Sequence, residues 1–469
     1  MRHLACSIFI ALLVSSFLAG CRKDKLDTDP NAKLTLSEDT IVFDTVFTTI
    51  GSATRHFLVH NTSHNSIKIS SITLAGGSNS PFHLNIDGTP TSSISDVIIA
   101  GGDSMYIFVD VTIDPNNSNN PLMVEDSILF NTNGNQQKVI LDAVGQDAYF
   151  HYYETLPCND VWNNDKPHVI YGYAIVPSGC SLTINAGARV HVHGGGILAV
   201  DSAGTLLVQG AYNSPVTFQG DRLESEYANE PGQWRFIWLS GGSVNNVIDW
   251  AVIKNAETGI RSDTLGASSN PTLTLTNTKI FNCADYGCVG VAGSWIEGNN
   301  DLIGNCGAAC FAVAYGGKCK MQYCTFGNNW TLDTRTTPAL LLNNWYKYDD
   351  VTIIGRDLTM AQFDNCIIYG SLDNEMGLDS TTQAGHLFNY YFNHCQLKTN
   401  VNTSQTSHFN TDIINGFCFF HDVNNRDYHL DPGSAAIDHA DPLVIVPFDL
   451  DNFLRPYNGT PDIGCYEQH

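Results

Sequence analysis

Four stretches of this sequence align on one another and decide the fold: Trp250-Ala-Val-Ile253-Lys-Asn255, Asn277-Thr-Lys-Ile280-Phe-Asn282, Asn300-Asp-Leu-Ile303-Gly-Asn305 and Tyr323-Cys-Thr-Phe326-Gly-Asn328. Their final asparagines are 27, 23 and 23 residues apart (282 − 255, 305 − 282 and 328 − 305). An apolar residue lies two positions before each asparagine, and the residues seven positions before are Ile248, Leu275, Gly298 and Met321. Repeats of this length, with short strands and no helical pattern, predict the coils of a parallel β-helix.

A second strand-like segment recurs between these stretches, at residues 236–239, 259–260, 288–291, 311–313 and 340–342. Stacked coils place equivalent positions above one another, so we expect aliphatic ladders inside the tube. Asparagine tolerates the left-handed αL conformation and hydrogen-bonds to nearby backbone. We therefore interpret the repeated asparagines as structural bend residues rather than as sugar-binding groups.

The cysteines follow the same register. The chain has 14 cysteines, of which five occupy repeated positions: Cys283, Cys306, Cys324, Cys366 and Cys395. This placement predicts small buried side chains rather than metal ligands or nucleophiles. Cys158 and Cys180 flank the start of the repeats, and we expect a disulfide between them, as an oxidising compartment permits.

Residues 34–147, before the repeats, alternate between apolar and polar side chains in short runs separated by Gly, Asn and Ser. This period-two pattern predicts a β-sandwich of half-buried strands. Segments such as Ser80-Pro81-Phe82 and Val111-Thr112-Ile113-Asp114-Pro115 resemble the immunoglobulin-like modules of the ASPM-SPD-2-Hydin and choice-of-anchor D type. That resemblance implies a spacer or adhesive module.

The C-terminal residues 431–469 follow a β-helix that we place at 148–430. Asp449-Leu-Asp451-Asn-Phe-Leu-Arg455-Pro456 and Pro461-Asp462-Ile463-Gly464-Cys465 resemble the choice-of-anchor Q module, although Cys465 stands where that family usually has alanine. The module terminates many right-handed β-helix proteins of the pectate-lyase-like superfamily, common in the envelope of Bacteroidota. We expect a cap over the exposed strand edges, with Arg455 paired to Asp449, Asp451 or Asp462.

The first residues predict export. An uncharged apolar run over 8–18 is too short to span a bilayer and favours a signal peptide at 1–20. It closes on Leu18-Ala19-Gly20-Cys21, which resembles the bacterial lipobox. The resemblance implies that Cys21 is lipidated, that 21–33 is a linker, and that acyl chains hold the protein to a membrane. The expected location is the cell envelope, as an outer-membrane lipoprotein that faces the periplasm or the outside.

The charge restricts the partners. Without Arg2, 47 acidic residues face 22 basic ones (23 − 1 = 22). Such a surface repels polyanions, so we expect no nucleic-acid partner and disfavour anionic polysaccharides, unless a local basic cleft binds one. No cysteine and histidine cluster has zinc-like spacing, and no metal is expected. The alternative of calcium at the three C-terminal aspartates has suitable oxygen ligands but matches no known loop, so no cofactor is predicted.

The longest interruption of the repeats, between Asn328 and Cys366, holds the candidate site residues. Aromatic rings stack on sugars, and the glycan-binding candidates are Trp330, Trp345, Tyr346 and Tyr348. Paired carboxylates serve as acid and base or nucleophile in glycosidases, and the catalytic candidates are Asp349, Asp350 and Asp333. Adjacent acids in a polar loop are more often a solvated turn, and the arginines here, such as Arg356, accompany no calcium-ligand motif. The sequence therefore favours a non-catalytic surface that binds glycan or protein, and the alternative is a diverged glycoside hydrolase or polysaccharide lyase.

The lipobox generates one test. Cys21→Ser removes the acylated atom, so the variant should lose lipid labelling and leave the membrane fraction for the soluble one. Metabolic labelling with a fatty acid and fractionation measure both effects. Unchanged membrane retention of the variant would contradict the lipoprotein interpretation.

Overall fold

The structure, a computed structural model, describes residues 25–115, 121–265, 269–350, 352–381, 383, 385–457 and 459–469. The predicted signal peptide and Cys21 lie outside the described residues. Contacts divide the chain into two units, Met1–Asp147 and Ala148–His469. Among the described residues, no helix has the length and apolarity needed to cross a membrane.

The first unit is the predicted β-sandwich, built from two sheets around one apolar core. One sheet contains Leu26–Asp27, Thr40–Phe47, Ser66–Leu74, Ser93–Ile99, Leu122–Thr132 and Asn135–Gln146. The other contains Thr35–Leu36, Arg55–His60, Phe82–Ile86, Thr89–Pro90 and Ser104–Val111, and a 3-10 turn covers Gly77–Asn79. Strands alternate between buried and exposed side chains, as in Ser104–Val111, which is the pattern that the sequence predicts.

The second unit is a right-handed parallel β-helix with three rows of strands. Row A is a ten-stranded sheet of Asp160–Trp162, Ser181–Asn185, Thr205–Gln209, Asn246–Asp249, Leu273–Thr276, Ser294–Asn299, Gly317–Gln322, Leu358–Asp364, Phe388–Asn393 and Phe409–Asn410. Row B contains Arg189–Val192, Val216–Gly220, Ala251–Lys254, Lys279–Cys283, Leu302–Cys306, Thr325–Asn328, Ile367–Gly370, Gln396–Leu397 and Ile413–Ile414. Row C contains Ile197–Val200, Phe236–Leu239, Ile260–Ser262, Cys288–Val291, Phe311–Ala314, Leu340–Asn343 and Met376–Asp379.

Rows B and C belong to one continuous sheet, because Tyr149–Thr155 and His168–Val176 run through both rows at the start of the tube. Outside the rows lie the hairpins Trp345–Lys347 with Ile353–Gly355 and Phe420–Asp422 with Asp427–Leu430. Short 3-10 turns cover Ser225–Tyr227 and Val423–Asn425. We call the corners between the rows AB, BC and CA, in chain order.

Equivalent residues lie above one another inside the tube, as the repeat predicts. In row A, Ile248 pairs with Leu275, Leu275 with Gly298, and Gly298 with Met321. Gly298 breaks the apolar pattern because Met321, on the next coil, needs the space. A Cβ at position 298 would lie 2.4 Å from the Met321 methyl carbon. The longer methionine thus fills the space that the glycine leaves, and the packing stays continuous.

The repeated asparagines form the BC corner. Asn255, Asn282 and Asn305 have φ of 65°, 54° and 53°, which is the αL conformation that the sequence predicts. Asn305 Nδ2 donates to Asn282 Oδ1 at 2.6 Å, and Asn282 Nδ2 donates to Asn255 Oδ1 at 3.3 Å. Asn328 differs, because its amide instead bonds the Cys306 backbone at both N–H and C=O. The chain bends later in that coil, since a longer loop follows Asn328.

The cysteine predictions are confirmed. Cys158 and Cys180 form a disulfide, and every free cysteine among the described residues is buried. Cys283 lies directly below Cys306 in row B. Burial raises the pKa of Cys306 well above its ordinary value, so the thiol stays protonated and unreactive.

The C-terminal segment lies against the outer face of row B, whereas the sequence analysis expected a cap over the strand edges. Tyr428 donates its hydroxyl to the Gly327 carbonyl at 2.6 Å, and Cys465 N donates to Thr325 Oγ1 at 3.1 Å. Side chains of both parts form a second core outside the tube, with Leu302 beside Tyr466. From Leu302–Cys306 to Ile367–Gly370, row B is therefore largely buried on both faces, which is why these strands lack polar alternation.

The prediction that Arg455 pairs with Asp449, Asp451 or Asp462 was wrong. Arg455 pairs with Glu467 at 3.0 Å, with both side chains at most 2% exposed. The three aspartates have other partners: Asp449 accepts the Glu467 N–H, Asp462 accepts the N–H groups of Asp438 and Gln468, and Asp451 lies 2.6 Å from His429 Nε2. Glu467 also accepts the backbone N–H groups of Tyr457 and Asp462, so this one carboxylate joins Arg455 to two further parts of the C-terminal segment.

The asparagine ladder generates a stability prediction. Asn282→Ala removes hydrogen bonds to three asparagines and to Arg426, so it should destabilise the tube by about 3 kcal/mol. Asn282→Gly is the matched control, because glycine adopts αL freely but makes no ladder bond; it should cost about 2 kcal/mol. Urea unfolding measures both. A neutral glycine variant would show that the ladder bonds contribute nothing.

Candidate functional site

The long interruption between Asn328 and Cys366 divides between two corners of the tube. Residues 329–339 form the BC corner of one coil, and residues 344–357 form its CA corner. The glycan and catalytic candidates of the sequence analysis therefore do not converge on one site.

The first part of the interruption is structural. The Trp330 side chain is buried, and its indole N–H donates to Asp333 at 2.6 Å. Arg335 forms a buried ion pair with Glu375 at 2.6 Å, and both side chains are at most 1% exposed. Arg335 thus holds the loop to the tube, and Asp333 fixes the Trp330 indole within the loop. The buried indole leaves little ring surface for a sugar.

The second part is the hairpin Trp345–Lys347 with Ile353–Gly355. Trp345 donates its indole N–H to Asp379 at 3.0 Å, which fastens the hairpin to row C. Asp349 accepts the N–H and hydroxyl of Thr352, and Asp350 is fully exposed beside Lys347. These two acids form the solvated turn that the sequence analysis preferred over an active site.

The hairpin walls a cleft of about 550 Å³ that runs along the CA corner over several coils. We call it the CA cleft. Its main side chains come from three successive coils: Trp295, Tyr315, Lys318, Arg356, Asp357 and His386. Tyr346 of the hairpin meets Tyr315 edge to face, with ring centroids 4.6 Å apart. Tyr348 follows two positions later and is 69% exposed, so by strand alternation it extends the same face.

Two cations are fixed in this cleft. Lys318 Nζ lies 3.5 Å from the centroid of the Trp295 ring, a favourable cation–π geometry. The Arg356 guanidinium lies 5.4 Å from the Tyr315 ring and donates to the Ala292 carbonyl. The cleft therefore combines aromatic rings with positioned hydrogen-bond donors.

Asp357 is the one carboxylate among the described residues that line the cleft. It accepts the Leu387 N–H at 3.0 Å and lies 3.3 Å from His386 Nδ1. The Leu387 N–H, and then the histidine, lower the pKa of Asp357. An ionised and occupied carboxylate cannot act as a general acid, and a glycosidase needs two acids across the bond it breaks.

No group of three or more His, Cys, Asp or Glu side chains in the described part of the chain is arranged to hold a metal ion. The three C-terminal aspartates considered for calcium accept bonds from the protein itself, and Asp451 lies 2.6 Å from His429 Nε2. Their oxygens are directed at these partners rather than at one point.

Trp295, Tyr315 and Lys318 were not identified from the sequence. They stand at outward positions of two neighbouring coils, and only the stacking of the coils brings them to one corner. Arg356 and Asp357 were noted as part of the interruption, but not as cleft residues. A search for large polar and aromatic residues within two positions of the start of each row A strand would have included them, without distinguishing them from solvated surface residues.

No family model matches the chain, and no curated protein matches it. Matched solved structures include the Agl-KA catalytic domain, 11% identical over 76% of this chain and 79% of that chain, with a TM-score of 0.30. The catalytic unit of a GH87 alpha-1,3-glucanase from Streptomyces thermodiastaticus is 9% identical over 77% of this chain and 89% of that one, with a TM-score of 0.20. PapD-like domain 7 of human CEP192 is 9% identical over 27% of this chain and 92% of that one, with a TM-score of 0.18. At these TM-scores the likeness carries no weight for function.

The buried ion pair generates a prediction that separates structural from cleft arginines. Arg335→Met leaves Glu375 buried and unpaired, so it should destabilise the protein by about 3–5 kcal/mol. Arg356→Met is the control and should cost about 1 kcal/mol, the worth of one hydrogen bond. Urea unfolding measures both variants. Equal effects would contradict the assignment of Arg335 to the scaffold.

Proposed function

We propose that this protein is a lipid-anchored envelope protein whose β-helix binds a glycan in the CA cleft without cleaving it. The segment Leu18–Cys21, which resembles the bacterial lipobox, supports this location. Acyl chains on Cys21 would hold the tube at a membrane, with the outer membrane as the expected one.

The chemistry of the cleft supports glycan binding. A sugar presents an apolar C–H face and a rim of hydroxyl groups, so its site needs aromatic surface beside polar donors. Trp295 and Tyr315 line the cleft with their rings, and Tyr346 packs edge to face on Tyr315. Lys318 and Arg356 supply hydrogen-bond donors. The cleft also crosses successive coils, which suits an extended chain rather than a single small molecule.

The observation that favours binding over catalysis is the state of Asp357. It is the one acid among the described lining residues, and its hydrogen bonds favour the ionised form. Asp333 lies in the loop at the BC corner, and Asp349 and Asp350 lie in the hairpin turn. None of the three is among the residues that line the cleft opposite Asp357. The alternative of a diverged glycoside hydrolase or polysaccharide lyase would need an acid–base pair that this lining does not supply.

Binding should depend on the rings of the cleft. Tyr346→Ala and Trp295→Ala should each weaken binding of a responsive polysaccharide about fivefold, since one ring–sugar contact contributes about 1 kcal/mol. Tyr212→Ala is the control, because Tyr212 is a comparably exposed tyrosine elsewhere on the tube, 43% against 39% for Tyr346. Affinity electrophoresis in gels that contain each polysaccharide measures retention.

A reducing-sugar assay on the wild type accompanies this test. Turnover that disappears in Asp357→Asn would replace the binding proposal with the enzymatic one. Silence of every polysaccharide in both measurements would remove the carbohydrate proposal and leave a protein-binding or structural role.

A further inference from the structure

A second concave surface lies at the BC corner of the first coils, and the sequence analysis did not point to it. This groove of about 390 Å³ is lined by four tyrosines, a histidine and an arginine: Tyr152, Tyr153, Tyr171, Tyr173, His193 and Arg235. Gly194 and Gly195 form part of its lining, and a Cβ at Gly195 would meet nothing within 4 Å. We call it the tyrosine groove. The tyrosine groove and the CA cleft lie on different corners of the tube, and the groove lies on earlier coils.

The histidine of this groove is held in a fixed orientation. Asp221, whose side chain is 11% exposed, accepts from His193 Nδ1 at 2.7 Å. Tyr171 stacks on the imidazole with centroids 4.3 Å apart and donates its hydroxyl to the same carboxylate oxygen at 3.4 Å. Burial raises the pKa of Tyr171, so that hydroxyl remains a donor. Half of the His193 side chain is exposed, and none of the described residues bonds to its Nε2.

The tyrosines are arranged around this histidine by the stacking of the coils. Tyr152 stacks on Tyr171 at 5.1 Å, so Tyr152, Tyr171 and His193 form a column of rings on successive coils. Tyr153 lies over Gly172, where a Cβ would be 2.3 Å from its ring and φ is +74°. A glycine is therefore required at position 172, both for the backbone and for the ring above it.

The rings of Tyr152 and Tyr153 in the tyrosine groove stay largely exposed in the folded protein, so they contribute little to its core. Tyr152 and Tyr153 are 53% and 67% exposed, and the Tyr173 ring meets Tyr153 edge-on at 5.4 Å. Large exposed aromatic surface beside oriented polar groups is the usual composition of a ligand site.

We infer that the tyrosine groove is a second carbohydrate site, which takes a segment of a neutral pyranose chain. Sugar C–H faces would lie on Tyr152 and Tyr153, while ring hydroxyls would bond His193 Nε2 and the Arg235 guanidinium. Neutral chains are favoured because the cation of the groove, Arg235, is already opposed by Glu257 at 3.8 Å, and because the Asp221 carboxylate lies beside His193. The strongly acidic chain also repels polyanions.

A protein partner fits this surface less well. A stable protein interface buries about 800 Å² on each side, and its centre is usually flat and well packed. A concave groove of this volume falls in the range of small-ligand pockets and supplies only part of such an area. The fixed polar atoms also lie within the groove, where a sugar's hydroxyls reach them.

The test uses the full chain and affinity electrophoresis against five neutral polysaccharides (dextran, laminarin, starch, glucomannan and xyloglucan), with polygalacturonate as the anionic comparison. His193→Gln and Tyr153→Ala should each weaken retention by at least one neutral polysaccharide about fivefold to tenfold. The same loss should occur in the Trp295→Ala background, where the CA cleft is impaired. Tyr212→Ala is the control, and unchanged melting temperatures would show that the groove variants fold.

The outcomes separate this inference from the proposed function. Loss of retention in the groove variants alone supports the groove and overturns the CA cleft as the binding site. Loss in the cleft variants alone overturns the groove. Retention by polygalacturonate only, or by none of the six polysaccharides, also overturns it.

Discussion

The tube depends on one constraint: each coil must bend at the same places so that its strands fall in register with those below. A shift of one residue would turn every inward side chain outward. At the BC corner this constraint is met by asparagines that adopt αL and bond one another from coil to coil. The bend and the stacking are therefore held by the same side chains. Local backbone conformation and long-range register reinforce each other there, which is the consistency expected of a sequence that specifies one fold.

This link between the local bend and the stacking of the coils explains which features could be predicted from the sequence. Asn255, Asn282 and Asn305 are visible because a stacked bend requires the same residue in each coil. Ile248, Leu275 and Met321 are visible for the same reason, since a tube interior accepts apolar side chains at fixed intervals. Asn328 was misjudged, because a repeat in the sequence does not reveal that the following loop has lengthened and moved the bend.

The candidate sites were less predictable because they are made between coils. Trp295 and Lys318 belong to neighbouring coils and stand at outward positions where any residue is tolerated. Nothing in their local sequence distinguishes them from solvated surface. The same holds for Tyr171 and His193. By contrast, Asp349 and Asp350 attracted attention as adjacent acids, although their proximity in sequence reflects only a hairpin turn. For a stacked architecture, proximity along the axis matters more than proximity along the chain.

The sealed thiols have a consequence for how such a chain reaches its folded state. If the protein is exported as proposed, it enters an oxidising compartment before it folds, and every cysteine is then open to pairing. The rate of folding must then exceed the rate of thiol oxidation, because a wrong disulfide between two coils would block their stacking. Burial ends the competition, since a thiol inside the tube can no longer meet an oxidant. Export would thus favour fast folding of this interior, because slow folding would leave the thiols open to covalent traps as well as to aggregation.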